Sequence, residues 1–390
     1  MNDDKTKFAL NRESRRSFLK GSATVAGAAG VLAVSGVSRI LASSDEQTKP
    51  GPGLTLNIAG YKLDRVQALI DGRVRVEGCN IRFETAAIGD MNTDVFSGPQ
   101  SREVTEIGLH PFMLAHANEG FRDYSLLPVF PLRVFRHRSI FIRTDRGIDK
   151  PEDLRGRRIA TPGFSSTSLT WLRGILQHEY GVRPEDIQWV VSSKDSSTEA
   201  AGKVSKQESV VPKGLSVTLG PEGKDESDLL ESGDVDALLH AAEPRAYVQG
   251  NPKVVRLFDD YRRTEQAYYA KTGIFPIMHA VAIRKNVAST HPWLPKAVFY
   301  AYSNAKELMY GELKKLGWAT ISLPWVGQEI EDTRKLMGGN YWPYGIEPNR
   351  KALETLFRYS HEQGLAKKKL TVAELFHPTT WDLVEEEGHA

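Results

Sequence analysis

The chain has 390 residues, 40% hydrophobic and 26% charged, with a formal net charge of +2 and one cysteine, Cys79. Residues 1–44 hold seven Lys/Arg against three Asp/Glu, so the remainder carries a net −2, which excludes a nucleic-acid binder built on basic excess. A lone cysteine excludes an intramolecular disulfide, and no apolar run after residue 44 is long enough for a transmembrane helix, so stable membrane insertion is not expected.

The N-terminus is read first. Arg15 and Arg16 precede Phe18-Leu19, residues 21–37 are uncharged and small or aliphatic, and 38–44 offer a small-residue cleavage region. This is the pattern of a removable twin-arginine (Tat) signal peptide, which predicts the Tat translocase as an export partner and a periplasmic location. Residues 45–53 form a polar, Pro-rich linker. Residues 54–59 alternate as a strand, 64–69 open a helix before the Asp71-Gly72 turn, and 79–84 alternate again. A short strand at 105–109 leads into a helix from Pro111, and strands follow at 126–130 and 139–142. After Gly147 come a Pro-started turn at 150–156, a strand at 158–162, a polar loop at 163–167, a helix at 168–180 stopped by Gly181, and a strand at 187–191. Residues 192–228 lack periodicity and read as a long loop; strands are expected at 234–239, 254–258 and 278–283. Helices at 293–308, 327–338 and 348–363 close the chain.

This order predicts an α/β fold in which one unit is interrupted by another: 54–146 plus 279–390 as the first lobe, 147–278 as the second. Two crossings between lobes make a hinge, and the cleft at the strand C-terminal ends is the expected ligand site.

The residues then carry a resemblance. Residues 147–162 resemble the start of the second lobe of type II periplasmic solute-binding proteins, and 280–306 resemble the return to their first. That fold implies two mixed sheets flanked by helices. Across about 54–378 the chain resembles the 4,5-dihydroxyphthalate decarboxylase family. The matching stretches include Asp64-Arg65, Val129–His137, Trp171–Leu176, Thr272–His279, Trp342-Pro343-Tyr344-Gly345 and Arg358–Leu365. At 108–111 the chain has Gly-Leu-His-Pro where a serine-rich loop is expected. The resemblance implies cofactor-independent decarboxylation of a hydroxylated aromatic dicarboxylate. The export signal supports a second reading, a receptor delivering a small aromatic or other carboxylate to an ABC-type permease.

Decarboxylation needs a grip on a retained carboxylate and a proton for the ring carbon. Arginine's planar fork suits the first task, so Arg136 and Arg65, the latter beside Asp64, are the expected carboxylate ligands. Histidine suits the second: His137 or His279 is expected to handle the proton, and His110 to modify the pocket or the chemistry. Each also reads as an ordinary packed or helix-starting residue. Ser165, Ser166 and Thr167 precede a helix whose N–H groups can hold an anion. Trp342 and Tyr344 can stack on a flat ring, and Glu243 with Arg245 is either a substrate pair or a structural one. The chain has no His-Glu-x-x-His, no glycine-rich phosphate loop and no Gly-x-Ser-x-Gly, so no metal and no cofactor are expected.

Overall fold

A computed structural model describes residues 53–315 and 321–385; the signal-peptide segment and most of the linker lie outside them. The eleven strands among the described residues are β1 Leu54–Gly60, β2 Cys79–Thr85, β3 Val104–Gly108, β4 Tyr124–Leu127, β5 Ile140–Arg143, β6 Arg158–Thr161, β7 Gln188–Val191, β8 Ser216–Leu219, β9 Ala237–Leu239, β10 Val254–Arg256 and β11 His279–Arg284. They form two sheets, ordered β2-β1-β3-β11-β4 and β10-β5-β9-β6-β7-β8. In the first, β1 runs parallel to β2 and β3, while β11 is antiparallel to β3 and β4. In the second, β6 to β9 are parallel and β5 is antiparallel to β9 and β10. The expected α/β fold of two mixed sheets flanked by helices is therefore present.

β5 belongs to the second sheet, although its position before Gly147 placed it with the first lobe on sequence grounds. Ile140 pairs with Leu239 and Phe141 with Leu238. An apolar run of four suits either sheet equally, and only its partner strands decide the matter. The chain thus crosses early, between β4 and β5, and returns between β10 and β11. The two crossings run antiparallel and bond to each other: Val134 N–H donates to Pro276 O at 3.2 Å and Met278 N–H to Leu132 O at 2.9 Å. The 192–228 stretch also holds more than a loop, namely β8 and the helix Glu226–Ser232, whose N-cap Asp225 accepts from Asp228 N–H.

Strands buried on both faces explain the near-continuous apolar runs. β3, β4, β5 and β9 are wholly buried. The first sheet packs Ile58, Ile107, Leu126 and Val281 against Val298 and Phe299 of the helix Leu294–Leu313. The second packs Ile159 and Trp189 against Leu172 and Leu176 on one side, and Leu238 against Leu229 and Leu230 on the other. Each such side chain is worth roughly 1.5–3 kcal/mol of burial. Among the described residues no helix is long and apolar enough to cross a membrane.

The helix Thr167–Tyr180 stands between the sheets. Ser166 caps it and Gly181, at φ +66°, ends it in the left-handed conformation that glycine adopts freely. Trp171 Nε1–H donates to Ile277 O at 3.0 Å, so the helix is also bonded to the second crossing. Gly174 faces Tyr359 of the helix Arg350–Glu362, and a Cβ there would overlap the tyrosine ring. Gly174→Ala is therefore expected to cost about 3 kcal/mol in urea unfolding, despite alanine's better helix propensity. A neutral or stabilising effect would mean that these helices are not packed this closely.

Candidate functional site

A cavity of about 210 Å³ lies between the sheets. Its walls come from the ends of the parallel strands: Tyr61 after β1, Gly108 at the end of β3, Pro162 after β6 and His240 after β9. This is the place where open α/β sheets bind ligands.

Arg136 reaches the cavity from the first crossing. It is only 6% exposed, its Nε–H donates to Met278 Sδ at 3.3 Å, and among the described residues no carboxylate pairs with it. Burial, reinforced by nearby Arg138, pulls its pKa down to about 10, which leaves it charged at neutral pH. His279, the first residue of β11, also lines the cavity. Its Nδ1 lies 2.6 Å from Glu106 Oε1, and its ring meets that of Tyr61 edge-on at 5.4 Å. The other Glu106 oxygen accepts from Tyr61 N–H at 2.9 Å, which fixes the carboxylate. With Nδ1 turned toward Glu106, Nε2 has no hydrogen-bond partner among the described residues.

Ser165, Ser166 and Thr167 line the opposite wall. Ser165 commits its hydroxyl by donating to Val210 O at 2.8 Å, whereas Ser166 and Thr167 only accept, from Leu169 N–H at 3.3 Å and His110 N–H at 3.0 Å, and keep their O–H donors. What the loop offers an anion is thus the Ser166 and Thr167 O–H groups, the first-turn N–H groups and the positive end of a 14-residue helix. Arg173 lies inside the same helix, donating to Phe164 O and to Gln363 Oε1, and burial pulls it down to about 9.

The remaining residues singled out from the sequence lie elsewhere. His110 is fully buried, with Nδ1 2.5 Å from Ser165 O and Nε2 2.8 Å from Ser360 Oγ. Burial pushes it down to about 4, and with both nitrogens engaged it is a strut between elements rather than a proton carrier. His137 is also buried, among the rings of Tyr180, Phe258 and Tyr268, and neither of its nitrogens has a partner among the described residues. Neither histidine lines the cavity, so the proton role expected of His137 and the pocket role expected of His110 find no direct contact there. Arg65 lies 3.9 Å over the Trp342 ring and bonds Asp64 at 2.9 Å and Pro131 O at 2.5 Å. Tyr344 is buried beside Lys306 Nζ, 4.8 Å from its ring. Arg65 and Trp342 support the first crossing through Pro131 O and Phe130 O, and neither they nor Asp64 and Tyr344 line the cavity. Glu243 pairs with Arg256 and Arg138, and Arg245 with Asp225 and Asp228 at 2.7 and 2.6 Å; both are structural pairs away from the cavity.

Three cavity residues escaped sequence reading: Asp195, His240 and Glu208. His240 Nε2 is 3.3 Å from Asp195 and its Nδ1 3.4 Å from Glu226. One ligand atom from each of these three residues lies within 4.8 Å of the others, close enough to hold a cation. Their polar atoms are already served by Ser192, Ser196, Ser197 and Ala242 N–H. Burial opposes the charge of Asp195, but hydrogen bonds from His240 and Ser197 prevail and hold it below the ordinary range. The one legible signal was the position of His240, which follows directly on the end of β9.

The His137 environment makes a prediction. Burial holds its folded-state pKa at about 4, below the ordinary 6.5, so the unfolded chain binds the proton first and the residue costs stability as pH falls from about 6.5 to 4. His137→Phe removes that term. Relative to the parent, it should gain roughly 2–3 kcal/mol more at pH 4.5 than at pH 7.5 in urea unfolding. Equal gains at both pH values would show that the ring is not protected from protonation.

Comparison with known proteins follows from this geometry. The family model described as NMT1/THI5 like matches residues 134–205. A 4,5-dihydroxyphthalate decarboxylase from Comamonas testosteroni is 34% identical over 327 residues, covering 84% of this chain and 97% of the relative. One from Pseudomonas putida is 32% identical over 216 residues, covering 55% and 81%. Among solved structures, the periplasmic aliphatic sulphonate binding protein SsuA from Escherichia coli aligns with a TM-score of 0.49 at 16% identity, over 85% of this chain and 99% of its own. On the length and identity of the first match, the chain belongs to the 4,5-dihydroxyphthalate decarboxylase family.

Proposed function

We propose that the protein decarboxylates a hydroxylated aromatic dicarboxylate of the 4,5-dihydroxyphthalate type. The observation that carries this reading is Arg136, a buried, charged guanidinium on the cavity wall with no carboxylate of its own. Burying an unpaired cation is costly, and an anionic ligand supplies the missing partner. Phthalates carry two adjacent carboxylates. Arg136 grips the one that is retained, and the N-terminus of the helix Thr167–Tyr180 faces the other from the opposite wall. His279, oriented by Glu106, exchanges the proton of a ring hydroxyl, which lets electron density reach the carbon that loses CO2. No step of this scheme requires a cofactor.

The sequence around Arg15-Arg16 supports export by the twin-arginine route and action in the periplasm. It also favours a second reading, in which the same cavity only binds an aromatic carboxylate and passes it to a permease. Incubation with 4,5-dihydroxyphthalate separates the two. Release of CO2 and protocatechuate identifies the enzyme; intact substrate with a ligand-dependent rise in Tm identifies the receptor. In either case Arg136→Met should weaken ligand binding by about 10- to 100-fold, and Arg136→Lys by less, because a point charge replaces a fork. Affinity unchanged in Arg136→Met would rule out the carboxylate role.

A further inference from the structure

The segment from Gly202 to Val210 belongs to the second sheet's connections but lies against the first sheet's helix Ile88–Phe96. A Cβ on Gly89 would overlap Lys203 O, and one on Gly202 would come within 3.2 Å of Ala87 Cβ, so the contact is backbone-close and depends on glycine at both places. Gln207 Nε2–H donates to Glu119 at 2.8 Å, and Val210 O accepts from Ser165 at 2.8 Å. The segment is a strap across the cavity, touching elements of both sheets.

The strap carries one acid into the cavity, Glu208. Its Oε2 accepts from Ser205 N–H at 3.1 Å and is 3.0 Å from Ser205 Oγ, while Asn92 contacts the carboxyl from the first-sheet helix. Asn92 is itself held by Gly108 N–H, which donates to its Oδ1 at 3.0 Å. Glu106, which lies behind His279 and does not line the cavity, is bonded to that histidine. Glu208 forms no ion pair among the described residues, and burial pushes its carboxyl above the ordinary range.

We infer that Glu208, held on the cavity wall by the strap, is the acid that protonates the ring carbon from which CO2 departs. The inference rests on the decarboxylase reading given above. In the step, His279 Nε2 takes the proton of the ring hydroxyl as the Glu208 O–H proton passes to the carboxylate-bearing carbon. The ring is then a dienone. The bond to the carboxylate breaks, its electron pair restores the aromatic ring, CO2 leaves, and His279 returns its proton to the phenolate oxygen. One proton is consumed overall, and water resupplies it to Glu208. The competing explanation is that Glu208 merely caps the short turn beginning at Ser205.

Full-length protein with 4,5-dihydroxyphthalate decides between them. Glu208→Gln keeps the size of the side chain and an acceptor oxygen. It should bind substrate within threefold of the parent and lose kcat by about 100-fold or more. Glu208→Ala should be equally slow and partly rescued by added formate, which restores a mobile carboxylic acid. A Glu208→Gln kcat within threefold of an active parent overturns the inference and leaves the decarboxylase reading intact. So does loss of substrate binding in both variants without formate rescue, the signature of a cap. A parent that leaves the substrate unchanged overturns both together.

Discussion

Three guanidinium groups, those of Arg133, Arg136 and Arg173, are buried around the lobe junction, and none has a carboxylate partner among the described residues. Burial pulls them down to about 10, 10 and 9, yet all stay charged near neutrality. Desolvated charge of this kind is the largest unfavourable item such an interior can carry, and the architecture is arranged around containing it. Arg173 is held by a carbonyl and an amide, and Arg133 by Asn349, which in turn bonds Pro343 O and Gly345 O. Arg136 is held most loosely, by the sulfur of Met278. A thioether is a weak acceptor, so the guanidinium gives up little when a ligand carboxylate arrives. The buried positive charge also makes the local field at the junction opposite in sign to the net charge of residues 45–390.

The two crossings turn this electrostatic arrangement into a site. Arg133 and Arg136 lie on one crossing, Met278 and His279 at the end of the other, and backbone bonds lock the two together. Arg133 points to the Asn349 side and Arg136 to the cavity. The aromatic block of Arg65 and Trp342 supports the same segment from behind, through Pro131 O and Phe130 O. Those two residues therefore matter to the geometry of Arg136 without facing the cavity.

Much of this was legible in sequence. The alternation of strands and helices and the interruption of one unit by another follow from periodicity. Arg136, His279 and the 165–167 loop could be singled out because they fall at strand ends or in the loops beside them, which the pattern marks. The histidines at 110 and 137 show the limit. A strand-end or loop position does not reveal which way a ring turns, and both rings turn into packing rather than toward the cavity. Asp195 and Glu208 were hidden for a different reason. They lie in the aperiodic 192–228 stretch, whose path is set by long-range contacts such as Gln207 with Glu119 and Gly89 with Lys203. The assignment of β5 failed on the same ground, since strand partners are a tertiary property.

The position of β11 has a consequence for how the molecule is made. It inserts between β3 and β4, pairing His279 with Gly108 and Val281 with Leu127. The centre of the first sheet therefore stays open, with two strands lacking their common neighbour, until the whole second sheet has been synthesised. Loop closure over such a separation is slow, and the exposed edges of β3 and β4 invite mispairing in the meantime. Until β11 emerges, only the second sheet has all of its strands.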